Sequence, residues 1–258
     1  MSGFLAGKRA LIQGVLNHHS LCWGIAEAMA HQGAEVCLTY QNERLREGVQ
    51  ECAATLPGAW TLPLDLQQDD QIAQVAAEVG RRWGTLDVLV VGAAFAKKEE
   101  LDGEFLKVTR EGFHLAMDVS VFGLIAMTAA CRPLLQAAGG GSVLTMTYIG
   151  SERVVPNYNV MGVAKAALEA SVRYLANDLG PENIRVNAVS AGPVRTVAAS
   201  GVKGVGGMIG DVADRSPLRR KTDRTQIGDT AAFLASDLAR GITGEIVFVD
   251  NGFHIVGM

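Results

Sequence analysis

Seven short apolar runs, spaced so that a helix fits between most of them, constrain this chain more than any other feature of its sequence. They are RALIQ at 9–13, EVCLTY at 35–40, WTLPL at 60–64, DVLVVG at 87–92, SVLTMTY at 142–148, IRVNAVS at 184–190 and EIVFVD at 245–250. They read as near-continuous buried strands, not half-exposed alternating ones, and the segments between them are long enough for crossover helices. The expected fold is therefore α/β: a doubly wound, seven-stranded parallel sheet with helices on both faces. No linker, composition shift or fixed-period repeat divides residues 1–258, so one domain is expected. The stretch TVAASGVKGVGGMIGDVADRSPLRRK at 196–221 holds Gly201, Gly204, Gly206, Gly207 and Gly210, which oppose a rigid element. It is expected to be irregular and to serve as a lid.

Composition narrows the function classes. With 48% hydrophobic and 19% charged residues, the 258-residue chain can bury a sizeable core. Lys and Arg number 23 against 27 Asp and Glu, a net charge of −4, which leaves no basic footprint for nucleic acid. Cys22, Cys37, Cys52 and Cys131 form no C-x-x-C pair and read as reduced packing thiols, which favours a cytoplasmic protein. The opening MSGFLAGKRALIQG lacks an apolar leader core, and no window approaches the roughly 18 uninterrupted apolar residues of a membrane span. A membrane partner is therefore not expected.

The turn after the first run, Gly14 to Gly24, opens a helical pattern at Ser20-Leu21. Such a turn offers backbone N–H groups and a helix N-terminus to a pyrophosphate, with glycine allowing close approach, so a dinucleotide is expected there and the sheet is Rossmann-like. The spacing is G-x5-S-x3-G rather than G-x-G-x-x-G, and Ser20 could add its hydroxyl. Gln41, at the end of the second run, can hydrogen-bond an adenosine ribose but offers no charge to a 2′-phosphate, which favours NADH over NADPH. Arg44 is either a counter-charge to such a phosphate or a solvated helix residue. Asp65 and Leu66, beyond the third run, either flank adenine or form a plain turn. His18 and His19 read as an exposed polar loop, without a third ligand to suggest a metal.

PNYNVMGVAKAALEA at 156–170 sets Tyr158 and Lys165 seven residues apart, about 10 Å of helix rise on one face. Spacing alone fits a core-edge tyrosine and a solvated lysine better than a reacting pair. Yet this segment, together with G-x5-S-x3-G at 14–24, TYQN at 39–42, LDGEF at 101–105, VTREGF at 108–113, RVNAVSAGPVRTVAASG at 185–201 and GEIVFVDNGF at 244–253, carries a resemblance over nearly the whole chain. The chain resembles the enoyl-acyl-carrier-protein reductases of the short-chain dehydrogenase/reductase superfamily. Carbonyl-reducing members use Tyr-x3-Lys and a serine thirteen residues before the tyrosine. Here Met161 and Tyr148 occupy those two slots, and Tyr158 stands nearly one helical turn earlier.

The resemblance implies reduction of the 2,3 double bond of a trans-2-enoyl thioester, carried by acyl carrier protein, with NADH in fatty acid biosynthesis. It implies that Tyr158 hydrogen-bonds the enolate and Lys165 holds the nicotinamide ribose, while Tyr148 either lines the substrate pocket or only packs. Backbone groups near Ala191 to Val194 would bind the carboxamide and Thr196 would reach the pyrophosphate. It further implies a homotetramer, which a small-residue stripe of Gly162, Ala166 and Ala170 would permit. Arg219-Arg220-Lys221 is either a solvated face or a landing for the acidic carrier. Two positions depart from the family: Ala94 stands near the nicotinamide where many relatives have glycine, and Gln13 where threonine is common. A carbonyl reductase is the rival disfavoured by Met161 and Tyr148, and a non-catalytic cofactor-binding protein the one disfavoured by Tyr158 and Lys165.

Overall fold

Every apolar run becomes a strand, and all seven hydrogen-bond side by side in parallel. In the computed structural model, which describes residues 3–196, 199 and 205–257, the strands are β1 (Arg9–Gln13), β2 (Glu35–Tyr40), β3 (Trp60–Pro63), β4 (Val88–Val91), β5 (Gly141–Thr147), β6 (Ile184–Ala191) and β7 (Ile246–Val249). Their order is β3-β2-β1-β4-β5-β6-β7. The chain winds outward from β1 in one direction, then returns to β4 and winds in the other. Between β1 and β4 the connections diverge and leave a crevice at the C-terminal strand ends.

Among the described residues, eight α-helices cover the sheet: α1 (Leu21–His31), α2 (Glu43–Ala54), α3 (Asp69–Trp83), α4 (Arg110–Met117), α5 (Gly123–Ala137), α6 (Asn159–Leu179), α7 (Val205–Arg215) and α8 (Arg224–Ala235). Because side chains on a strand alternate faces, neighbouring residues enter different cores. Ala10, Ile12, Val36, Leu38, Val88 and Val90 pack with residues of α1, α2 and α8. Leu11, Cys37, Leu89, Val91 and Val143 pack with residues of α3, α5 and α6. Two covered faces are why the strands carry so few polar residues. Each fully buried Leu or Ile contributes on the order of 2 kcal/mol. Helix starts are set locally: Asn42 accepts from Leu45 N–H at α2, Thr109 from Gly112 N–H at α4, and Asp223 with Gln226 forms a capping box at α8.

The region 196–221 is not irregular throughout. Residues 205–215 form α7 despite Gly206, Gly207 and Gly210, because Val212 and Ala213 are buried along with Ser216. Burial of an apolar face outweighs the roughly 1 kcal/mol helix penalty of a glycine. The remainder of the expected lid at 197, 198 and 200–204 lies outside the described residues.

The run Arg110–Ala137 is long and apolar enough, by length and composition, to cross a membrane. Here it covers the sheet, with Leu124, Met127, Cys131 and Leu135 in the core. A π-helical turn at Asp118–Phe122 interrupts it. All four cysteines are free and buried. Burial raises the pKa values of Cys22 and Cys131 to about 12 and of Cys52 to about 11, so the thiols stay protonated.

Candidate active site

Loops leaving β1, β4, β5 and β6 meet at the C-terminal edge of the sheet. After β1, Gly14 adopts φ 109, a conformation few other residues tolerate. A Cβ there would stand 3.0 Å from both Cys22 Sγ and the Gly92 carbonyl carbon, and one on Gly92 would come within 2.2 Å of Cys22 Sγ. Two glycines thus hold open a tight backbone junction. Ser20 is buried, and its hydroxyl accepts from the N–H groups of Leu16 (2.9 Å) and Asn17 (3.2 Å). It therefore shapes the loop, and it does not cap the first turn of α1, which starts at Leu21. That open helix N-terminus beside a glycine-lined loop fits a pyrophosphate.

Gln41 is exposed just beyond the end of β2. Asp65 turns its carboxylate back to accept from Gln67 N–H at 3.1 Å, and Leu66 is a core residue packed where Gly123 leaves space. Those two side chains serve the turn and the core. Val194 packs against the α1 side of the sheet, and Thr196 Oγ1 accepts from Ala199 N–H at 3.0 Å.

Beyond β4, the departures at Gln13 and Ala94 prove to be linked. Gln13 Oε1 accepts from Ala93 N–H (2.9 Å), and Ser120, in the π-helical turn, accepts from Phe95 N–H (3.1 Å). Ala94 is pinned on both sides by these bonds. Its half-buried methyl leans on the α3, α5 and α6 core.

Tyr158 is the N-cap of α6, one residue ahead of the helix proper, between two left-handed residues, Asn157 (φ 61) and Asn159 (φ 31). Asparagine tolerates that conformation better than most residues. The phenol ring lies where Gly150 has no side chain: a Cβ there would stand 2.5 Å from Tyr158 Cδ1. Tyr148 meets it edge-on, with ring centroids 5.1 Å apart at 74°. The Tyr148 hydroxyl donates to Met208 Sδ on α7 at 3.2 Å. Lys165 is buried, and its Nζ donates to the Met146 carbonyl on β5 at 2.7 Å.

Burial raises the pKa of Tyr158 well above the ordinary phenol range, assisted by nearby Tyr148 and Glu169. Tyr148 is raised to about 12 by burial. Burial lowers Lys165 to about 8, opposed by Cys22 and Glu169. The site thus offers an un-ionised phenol and, at neutral pH, an ammonium. These suit donation to an oxygen that becomes negative, not abstraction of a proton.

Glu169 was not among the sequence candidates. Its signal was an acid on the buried face of α6, four residues beyond Lys165. The small-residue stripe is partly spent within the chain, since a Cβ on Gly162 would meet the Gly150 carbonyl oxygen at 2.8 Å; Ala166 stays exposed. Among the described residues, no group of three or more His, Cys, Asp or Glu could hold a metal.

A family model described as Enoyl-(Acyl carrier protein) reductase matches residues 14–254. The chain belongs to the enoyl-acyl-carrier-protein reductase family. Among curated relatives, the enoyl-acyl-carrier-protein reductase (NADH) FabI of Salmonella typhimurium is 49% identical over 257 residues, covering 99% of this chain and 97% of that one. Its Bacillus subtilis counterpart is 48% identical over 257 residues, covering 99% of each. The solved Bacillus cereus reductase, in complex with NADP+ and indole naphthyridinone, superposes with a TM-score of 0.97 at 46% identity, covering 99% of this chain and 100% of that one. The Anaplasma phagocytophilum reductase in complex with NAD gives 0.95 at 44% identity, covering 100% and 98%. This agreement in fold extends to all of the described sheet.

Proposed function

We propose that Tyr158 and Lys165 perform, in this chain, the reaction of its family. The chain is an NADH-dependent reductase of the 2,3 double bond of enoyl-acyl-carrier-protein in fatty acid synthesis. When bound, NADH supplies the hydride that goes to the β-carbon of the enoyl thioester. The chain's own contribution is to hold the reactants and to receive the charge that develops on the thioester oxygen. Tyr158 donates a hydrogen bond to that oxygen, an interaction that strengthens as charge builds and so favours the transition state over the bound substrate. Lys165 holds the ribose hydroxyls next to the nicotinamide and adds a positive field at the enolate. Gly14, Ser20 and Leu21 would hold the pyrophosphate, Gln41 the adenosine ribose, Val194 the carboxamide and Thr196 the pyrophosphate's second side. Asp65 and Leu66 contribute backbone at the adenine edge, and Ala94 flanks the nicotinamide.

The observation that carries this reading is the pairing of a buried ammonium at Lys165 with an un-ionised phenol at Tyr158, with Met161 and Tyr148 in the slots a carbonyl reductase fills differently. Tyr148 braces the Tyr158 ring and links it to α7, which supports a place for Tyr148 in the acyl pocket. On the same reading residues 1–258 act as one unit in the cytoplasm and assemble as a homotetramer. Residues 196–221 cover the acyl chain, and the acidic carrier docks transiently near Arg219, Arg220 and Lys221.

The test is loss of NADH absorbance with crotonyl and longer enoyl thioesters, run beside ketone substrates. Turnover of the enoyl series alone is expected. Comparable ketone reduction would make the chain a carbonyl reductase, and tight NADH binding without turnover of either would make it a binding protein.

A further inference from the structure

Glu169 is an acid where the fold has least room for one. It lies on the inner face of α6, 6% exposed, one turn beyond Lys165. Carboxylates are rarely buried without a partner. Its partner is Thr147, itself buried, whose hydroxyl donates to Glu169 Oε1 at 2.6 Å. Thr147 ends β5 and directly follows Met146, whose carbonyl accepts from Lys165 Nζ at 2.7 Å. The helix and the strand are therefore joined at two adjacent rungs. Lys165 and Glu169 are four apart on α6, and Met146 and Thr147 are consecutive on β5.

The two rungs differ in electrostatic character. A carbonyl dipole receives the ammonium but cannot balance its charge, so a buried lysine held only in this way tends to lose its proton. The other titratable groups facing Lys165 and Glu169 are Cys22 on α1 and the phenols of Tyr158 and Tyr148, all of which stay protonated at neutral pH. Glu169 acts on Lys165 against the effect of burial, holding its pKa up.

We propose that Glu169 is a positioning residue: through Thr147 it anchors the end of β5 that holds Lys165, and its negative charge keeps Lys165 an ammonium. Glu169 touches neither substrate nor cofactor on this account. The inference rests on the reading of Lys165 given above.

The test measures NADH affinity by cofactor fluorescence, and kcat/KM for NADH, from pH 6 to 10 in the parent, Glu169→Gln, Glu169→Asp, Thr147→Val and Lys165→Ala. Both quantities should hold up to about pH 8 in the parent and fall above it, as Lys165 loses its proton. Glu169→Gln keeps an oxygen for the Thr147 hydroxyl but removes the charge, so the fall should move to lower pH by on the order of one unit. Glu169→Asp should return the inflection to the parent pH while loosening NADH binding several-fold. Thr147→Val should do the same, since the charge remains. A Glu169→Gln inflection that coincides with the parent's overturns the proposal. Should Glu169→Gln not fold, parent affinity in both Glu169→Asp and Thr147→Val overturns it. An inflection that persists in Lys165→Ala instead refutes the role of Lys165 itself, so the two failures are told apart.

Discussion

The loop around Gly14 and the rungs between α6 and β5 lie at the same sheet edge yet are built on opposite principles. The loop is defined by what is missing: Gly14 and Gly92 leave a junction that a single methyl would fill, and Ser20 folds the turn so that α1 begins uncapped. The rungs are defined by what has been put in: a buried lysine and a buried carboxylate beside the Tyr158 phenol, with Glu169 acting on both Lys165 and Tyr158. A backbone cradle tolerates any ligand of the right shape and charge. A buried charge set is specific to one kind of developing charge, and losing any member changes the rest. On the proposed reading, binding without reaction belongs to the first region and reaction to the second.

The widest break in this contrast should come from Lys165→Ala, because Lys165 serves both regions on the proposed reading. NADH affinity and turnover should fall together, lowering kcat/KM by on the order of a thousandfold or more. Stopped-flow binding and steady-state rates would check this, and parent NADH affinity would confine Lys165 to the chemistry. Tyr158→Phe should separate the regions: turnover drops by on the order of a hundredfold while NADH affinity stays within about twofold. A parent rate in this variant would remove Tyr158 from the oxyanion role.

Gly92→Ala tests the cradle alone. Its methyl has to displace the buried Cys22 Sγ, so NADH affinity should weaken by about tenfold and thermal unfolding should show a loss of about 2 kcal/mol. The rate at saturating NADH should change little, and a proportionate loss of that rate would show that the two regions are not separable. The smallest effect is expected from Ala94→Gly. Gln13 and Ser120 hold the backbone on both sides of Ala94, which opposes absorption of the methyl by a shift of the loop. Removing it should tighten a flat, ring-stacking inhibitor at saturating NAD+ by a few-fold to about tenfold, with crotonyl turnover less affected. Equal inhibition constants would mean that Ala94 does not shape the pocket.

The sequence by itself determined the strands and their parallel pairing. An apolar run such as VLVV at 88–91 has no polar residue to spend on solvent, so it has to be covered on both faces, and helix-length segments then supply the crossovers. It also marked Gly14, Tyr158 and Lys165 through spacing and likeness to a family. Tertiary structure decided the rest. Local propensity counts the glycines of 205–215 against a helix, but only packing shows that burying Val212 and Ala213 outweighs them. Leu66, singled out in the sequence as a ligand neighbour, also puts its side chain in the core, because Gly123, distant in sequence, opens space for it. Glu169, which the sequence did not single out, gains its partner only where β5 places Thr147 against it. A residue's charge is written in the sequence, but the cost of that charge depends on how much water the fold leaves around it and on which partners, far away along the chain, it brings within hydrogen-bonding distance.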